Sequence, residues 1–197
     1  MLFRSFSQDP IMVNNYKSGG DIYTAIGKEM GVDRKAGKVL VLAMSYGVGP
    51  DKISRQIGCT KQEARDLLDR FSAKFSSISK YRTDVLISTL KKGTKLKEVP
   101  YVTTLFERRR YLPNMLSKDQ YEKASAERQA FNTKIQGSAA DIIKLAMIRA
   151  HAMLPEGSKL ILTVHDELVT LAPDHLAEAT AEAIRGAMRS EEHTSEL

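Results

Sequence analysis

Apolar positions recur every three to four residues along most of the chain, and in two places the period shortens to that of extended runs. Leu2, Phe3 and Phe6 open at helical spacing until Asp9-Pro10 breaks the pattern. After the Gly19-Gly20 loop, Asp21 is a good N-cap for a helix over Ile22 to Met30, with Gly31 as its C-cap. Asp33 caps a second helix that runs to Tyr46 and stops at Gly47. Gly37 inside it costs about 1 kcal/mol against Ala, so something other than propensity favours glycine there. Gly49-Pro50 is a turn, followed by a short helix from Asp51 to Ile57. Thr60-Lys61-Gln62-Glu63 is a capping box ahead of a stripe of Ala64, Leu67, Leu68, Phe71, Phe75 and Ile78. Helical pattern continues through Tyr81 to Leu90, where Lys91-Lys92-Gly93 supplies cations and a glycine cap for its end.

The period then changes. Tyr101 to Phe106 reads as a strand, Glu107-Arg108 as its turn, Arg109 to Leu112 as the return, and Pro113-Asn114 closes it. Ser117-Lys118-Asp119-Gln120 reads as a second capping box. It opens a long helix over much of Tyr121 to Leu154, with a break near Gln136-Gly137-Ser138. The Pro155-Glu156-Gly157 loop leads into Leu160 to Leu171, two apolar β-branched runs around His165-Asp166-Glu167. These predict a hairpin of two buried strands holding three polar residues at a tight turn. Pro173-Asp174 starts a last amphipathic helix, His175 to about Met188. The order of helices, hairpin, long helix, hairpin, helix is an α+β pattern.

With 197 residues, 42% of them hydrophobic, the chain can bury the core of one large domain or two small ones. No apolar run approaches a membrane span, and Met1-Leu2-Phe3-Arg4 lacks the layout of a signal peptide. Cys59 has no second cysteine to pair with, which fits a reducing compartment and a cytoplasmic location. A net charge of +6 and a pI near 9.3 suggest a polyanionic partner, most often nucleic acid. The run Arg108-Arg109-Arg110 reads either as a solvated cluster or as a phosphate-facing edge.

Two helices carry polar faces. Arg34, Lys38, Leu42 and Tyr46 follow one another at i+4 steps, a slowly winding stripe about 18 Å long. Two cations, an apolar side chain and a ring in that order suit a nucleoside triphosphate: phosphates, sugar, base. A water-facing polar side of an amphipathic helix is the plain alternative. Arg128, Asn132 and Gln136 repeat the spacing with three hydrogen-bond donors. Such donors can read the acceptors that every base pair shows in the minor groove. Here the alternative is a surface face beside a tight crossing at Gly137-Ser138-Ala139-Ala140. At the hairpin tip, a carboxylate on rigid strands is well placed for a metal ion, or the turn is simply acidic and solvated.

Arg34-x3-Lys38-x3-Leu42-x3-Tyr46-Gly47, then Gln136-Gly137-Ser138-Ala139-Ala140-Asp141, then Val164-His165-Asp166-Glu167 resemble, in that order, the family A DNA polymerases. Gly20-Asp21-Ile22-Tyr23, Arg110-Tyr111-Leu112-Pro113 and Ala126 to Asn132 resemble family segments too, so the likeness covers nearly the whole chain. It implies a polymerase palm, an antiparallel sheet with helices, plus a helical fingers subdomain, incomplete at both ends. Residues 1–20 would be a palm segment following the first catalytic strand, 21–116 the fingers with a connecting hairpin, and 117–188 the palm with the His-Asp-Glu hairpin. The implied partners are primer–template DNA and deoxynucleoside triphosphates, and the implied activity is DNA-directed DNA polymerase. Arg34 and Lys38 would bind the triphosphate, with the fingers cations offsetting charge on the leaving pyrophosphate. Leu42 would face the sugar and Tyr46 the nascent base pair. Arg128, Asn132 and Gln136 would line the primer–template minor groove, with His165 near the primer terminus. Asp166 would ligate two catalytic Mg²⁺ ions, with Glu167 a neighbouring acid.

Three departures qualify the likeness. Leu42 stands where much of the family has Phe or Tyr. Two divalent ions need more than one carboxylate, and the family's other principal aspartate would lie before Met1; nothing in the motifs supports Asp9 or Asp141 as a substitute. Residues 189–197 do not resemble the family and read as a non-native tail. Alternatives in view are a phage-type single-subunit RNA polymerase, whose hairpin more often reads His-Asp-Ser, and a catalytically incomplete DNA-binding fragment. A metal-dependent hydrolase on His165 and Asp166 lacks further ligands at metal-binding spacing.

Overall fold

Gly37 has no room for a side chain. A Cβ there would collide with the Tyr23 carbonyl oxygen and stand 2.9 Å from the Gly27 nitrogen, and one on Gly27 would stand 2.7 Å from the Val32 carbonyl oxygen. The two glycines let helix α3 (Ile22–Met30) and helix α4 (Arg34–Tyr46) cross at close backbone contact. That is the reason for glycine which helix propensity does not supply.

The computed structural model describes residues 2–96, 99–165 and 167–189. The expected metal ligand Asp166 and the tail from Ser190 onward lie outside the described residues. The chain divides into two units, Met1–Gln136 and Gly137–Leu197.

The first unit is helical. Helices α1 (Leu2–Ser7) and α2 (Pro10–Lys17) flank the predicted break, which is a helix start rather than a loop. Asp9 caps α2 by accepting from the Ile11 and Met12 amides, and Pro10 fills the first helical position, where no N–H is needed. The caps of α3 and α4 stand where the sequence puts them: Asp21 and Asp33 accept first-turn amides, and Gly31 and Gly47 take left-handed backbone at φ 71° and 62°. Helix α5 (Pro50–Ile57) begins on Gly49, and helix α6 (Lys61–Lys74) carries the full Thr60–Glu63 capping box. The apolar stripe is interrupted at Phe75 before helix α7 (Ser76–Leu96). Against expectation, α7 continues past Gly93; glycine permits a stop without imposing one, and the next breaker is Pro100.

Phe71 and Phe75 stack at 4.5 Å and are fully buried with Ile26, Leu40, Val41, Ile78 and Phe131. Each such side chain contributes about 1.5–3 kcal/mol by leaving water. This cluster buries one side of α4 and leaves Arg34 and Lys38 exposed. A short hairpin pairs β1 (Tyr101–Thr103) with β2 (Arg109–Tyr111). β1 is half the predicted length because Glu107, at φ 60°, turns the chain while the Thr104 amide bonds to the Arg108 carbonyl. Helix α8 (Gln120–Asn132) is capped by Asp119, not Ser117. Asp119 accepts from the Tyr121 and Glu122 amides, while the Ser117 hydroxyl accepts from the Asp119 amide and donates to Glu122. The expected break in the long helix is a π turn, Thr133–Gly137.

In the second unit, α9 (Ser138–Met153) packs on α10 (Ala177–Arg189), with Ala146, Ala150 and Ala187 buried. Strands β3 (Lys159–Val164) and β4 (Glu167–Leu171) form the expected antiparallel hairpin, with a bulge at Ile161. Its strands are not buried as predicted. Leu160, Leu168 and Thr170 are half-covered, β3 lying against α9, whereas Leu162, Val164, Val169 and Leu171 are exposed. A two-stranded ribbon packed on one side leaves its other face open, however apolar its sequence.

Gly37→Ala removes the propensity cost of about 1 kcal/mol but forces α3 and α4 apart. The expected net effect is a loss of about 1–3 kcal/mol in urea unfolding; a stabilised variant would show that the crossing is not tight.

Candidate functional site

The exposed side of α4 begins with two cations over one ring. Arg34 makes a two-pronged pair with Asp21, Nε to Oδ2 at 2.9 Å and Nη2 to Oδ1 at 3.1 Å. Its guanidinium lies 5.5 Å from the centre of the Tyr23 ring, and Lys38 Nζ lies 6.0 Å from the same point. Asp21 therefore caps α3 and aims Arg34 at once. The Thr24 hydroxyl, then the Arg34 guanidinium, hold its carboxyl down to about 2. The pair is well exposed on both sides, so it contributes orientation more than stability. Lys38 is exposed, and the two cations share one face, as their spacing predicts. Such an arrangement can hold a polyphosphate, with Asp21 giving up part of its hold on Arg34 when one arrives. Helical spacing along α4 points to neither Tyr23 nor Asp21 as a partner of Arg34, since one lies on the preceding helix and the other caps it.

At the other end of α4, Leu42 and Tyr46 line an open cavity of about 720 Å³ together with Gly47, Lys52, Tyr121 and Arg128. Gln136 Nε2 donates to the Tyr46 hydroxyl at 2.9 Å across a sequence separation of 90. A π turn winds more slowly than an α-helix. The turn at Thr133–Gly137 thus lessens the drift of Gln136 away from Arg128, where uninterrupted i+4 steps would drift by about 40° each. Arg110 pins this turn, donating to Thr133 Oγ1 at 3.2 Å and to Gln129 Oε1 at 2.8 Å. The arginine run is thus part anchor: Arg109 also lies 4.8 Å over the Tyr101 ring. Asn132 is half-buried on α8 and does not line the cavity. So α4, α8 and the π turn bring Leu42, Tyr46, Arg128 and Gln136 together, and Arg34 with Lys38 form a separate cluster toward the start of α4.

In the second unit, His165 occupies the first position of a two-residue hairpin loop, with left-handed backbone at φ 55°. That conformation suits the primed turns that match strand twist. Glu167 pairs with Val164, and both His165 and Glu167 are exposed at the tip. Among the described residues no three His, Cys, Asp or Glu side chains stand close enough to share a metal ion. They do not by themselves make up the donor set that two divalent ions need. Asp9 is committed elsewhere: it is nearly fully buried as a helix cap, and burial pushes its carboxyl up despite two amide bonds. Asp141 is buried in α9. No helix among the described residues is long and apolar enough to cross a membrane.

The family model for DNA polymerase family A matches residues 2–197. The chain is 35% identical over 192 residues to the thermostable DNA polymerase I of Thermus aquaticus, covering 92% of this chain and 22% of that protein. It is 37% identical over 176 residues to DNA polymerase I of Bacillus subtilis (strain 168), covering 87% and 19%. Among solved structures, the POL domain of Pol1 from M. smegmatis, in complex with DNA primer-template and dNTP, matches with a TM-score of 0.83. Identity there is 27%, over 94% of this chain and 34% of that one. The chain spans about a fifth of the length of these two curated relatives. Both relatives are DNA polymerases, so the RNA-polymerase alternative is not favoured.

Asp21 gives a test by pH. Its lowered carboxyl means that the cap and the Arg34 pair are fully present above the ordinary carboxylate value of about 3.9 and are lost as pH falls through about 2. Carboxyl-carbon NMR should place its midpoint about 2, and Arg34→Ala should move that midpoint upward; an ordinary midpoint in the unaltered chain would contradict the arrangement.

Proposed function

Since the chain belongs to DNA polymerase family A, we propose that it supplies the nucleotide-binding and template-handling surfaces of a template-directed DNA polymerase, an enzyme that adds deoxynucleoside triphosphates to a primer 3′ end. The observation that carries this reading is the α4 face. Arg34 and Lys38 converge over Tyr23 at one end, and Leu42 and Tyr46 open onto the cavity at the other.

In this reading Arg34 and Lys38 hold the triphosphate, and Lys38 offsets charge that builds on the departing pyrophosphate. Leu42 packs against the sugar. Tyr46, steadied by Gln136, sits beside the nascent base pair. Arg128, Asn132 and Gln136 face the primer–template, Arg128 meeting a phosphate and the amides the minor-groove acceptors. His165 approaches the primer terminus. The family is generally dependent on divalent metal, and we assign Asp166 as the ligand this chain contributes to two Mg²⁺ ions, with Glu167 beside it. Mg²⁺ supplies the Lewis acid that activates the primer hydroxyl and steadies the leaving group. Among the described residues no cluster of three His, Cys, Asp or Glu side chains completes that ligand set. The setting is the cytoplasm of a bacterial or phage-infected cell, where DNA and its precursors meet.

The test is equilibrium binding of a deoxynucleoside triphosphate to this chain in the presence of primer–template. Lys38→Ala removes a charge-assisted bond of about 1.5–3 kcal/mol, so affinity should fall about 10- to 100-fold. Unchanged affinity would overturn the assignment of α4. In a version with the whole palm, Leu42→Phe should alter dideoxynucleotide selectivity; unchanged kinetics would remove Leu42 from the sugar contact.

A further inference from the structure

Arg110 stands outside the nucleotide and template surfaces, yet it holds the turn that reaches into them. It is carried on a stiff platform. β1 is buried along its whole length and lies against α7, Val102 opposes Arg110 across the hairpin, and buried Leu112 anchors the chain as it leaves β2. From there the guanidinium spans the start of the π turn. Nη1 donates to the Thr133 hydroxyl at 3.2 Å and Nη2 to Gln129 Oε1 at 2.8 Å. The Thr133 hydroxyl has given its own proton to the Gln129 carbonyl, 2.7 Å away, so toward Arg110 it can only accept. A threonine bonded in this way to the carbonyl four residues back loosens the regular helix. Arg110 bridges the two ends of that loosened step, residues 129 and 133, and so favours the wide turn over a return to α winding.

Gln136 comes three residues after Thr133. A π turn winds more slowly than an α-helix. A return to α winding would therefore swing Gln136 about the axis, off the position from which its Nε2 meets the Tyr46 hydroxyl at 2.9 Å. Arg110, Gln129 and Gln136 are all exposed, so these bonds give direction more than stability. Tyr46 is assigned above to the nascent base pair, where a ring held in one place distinguishes a correct pair from a misshapen one. We propose that Arg110 is a positioning residue for base selection, acting through the π turn and Gln136 on Tyr46. This rests on the polymerase reading and adds to it a specificity determinant that touches neither nucleotide nor template.

Two measurements on this chain test it. The first needs no DNA. Arg110→Met should shift the side-chain amide protons of Gln136 toward those of a free amide in NMR spectra. Gln129→Met, at an exposed position, should move them the same way and decides the matter if Arg110→Met does not fold. A fall in melting temperature with the Gln136 amide unmoved makes Arg110 a structural anchor only and overturns the proposal. The second is equilibrium binding of complementary and mismatched deoxynucleoside triphosphates over a primer–template whose primer lacks its 3′ hydroxyl. Arg110→Met should cut the preference for the complementary nucleotide about three- to tenfold and leave the salt slope of duplex binding unchanged. Arg110→Lys, which keeps the charge without the fork, should lose preference in the same direction. An equal change for both nucleotides, or none for either, overturns the proposal. So does a salt slope lowered by about one contact in Arg110→Met and restored in Arg110→Lys, which would make Arg110 a phosphate ligand. Failure of the unaltered chain to prefer the complementary nucleotide would bring down the polymerase reading, and this inference with it, while the Gln136 shift still reports the mechanical link.

Discussion

The contact between Gly27 and Gly37 decides where α4 lies. Backbone meets backbone there, so α4 cannot roll or slide without a steric clash. Its buried side is then committed to Leu40, Val41 and the phenylalanine cluster. Its free side presents Arg34 and Lys38 over a ring carried by the same helix that carries Gly27. A side chain at either glycine would separate the cations from Tyr23 and Arg34 from Asp21. The cations could be moved one at a time by mutation, but the surface they share depends on this crossing.

A second lock operates at the far end of α4. Gly47 takes the left-handed conformation that ends the helix, and its missing side chain is what allows Arg82 and Arg128 to approach. Tyr46, one residue earlier, is held by Gln136 from the π turn, and the π turn is held by Arg110 from the hairpin. Two stretches distant in sequence thus fix one tyrosine. Helices in which the backbone ladder is locally widened are common at functional positions. Here Gln136, the fourth residue of the widened turn, is the one that reaches Tyr46.

Much of this was legible in the sequence because it is local. Asp21, Asp33, Gly31, Gly47 and the Thr60–Glu63 box carry the chemistry of helix ends within a few residues, and the structure puts those ends where the pattern does. The stripe of Arg34, Lys38, Leu42 and Tyr46 needed only the helical period. What was not legible depends on distant partners. Ser117 and Asp119 compete for one cap, and spacing alone does not choose between them. Gly93 looks like a stop, yet α7 passes through it. The strands around His165 have the composition of a buried sheet, but burial depends on what covers them, and one face of the described hairpin is open.

The account turns on the claim that the free face of α4 is where a nucleotide is read. Amide and side-chain NMR shifts of the labelled chain, followed as a deoxynucleoside triphosphate is added over primer–template, measure this most directly. The largest changes should run along Arg34, Lys38, Leu42 and Tyr46, with Tyr23 following. Saturable binding whose shifts avoid that face altogether would contradict the account.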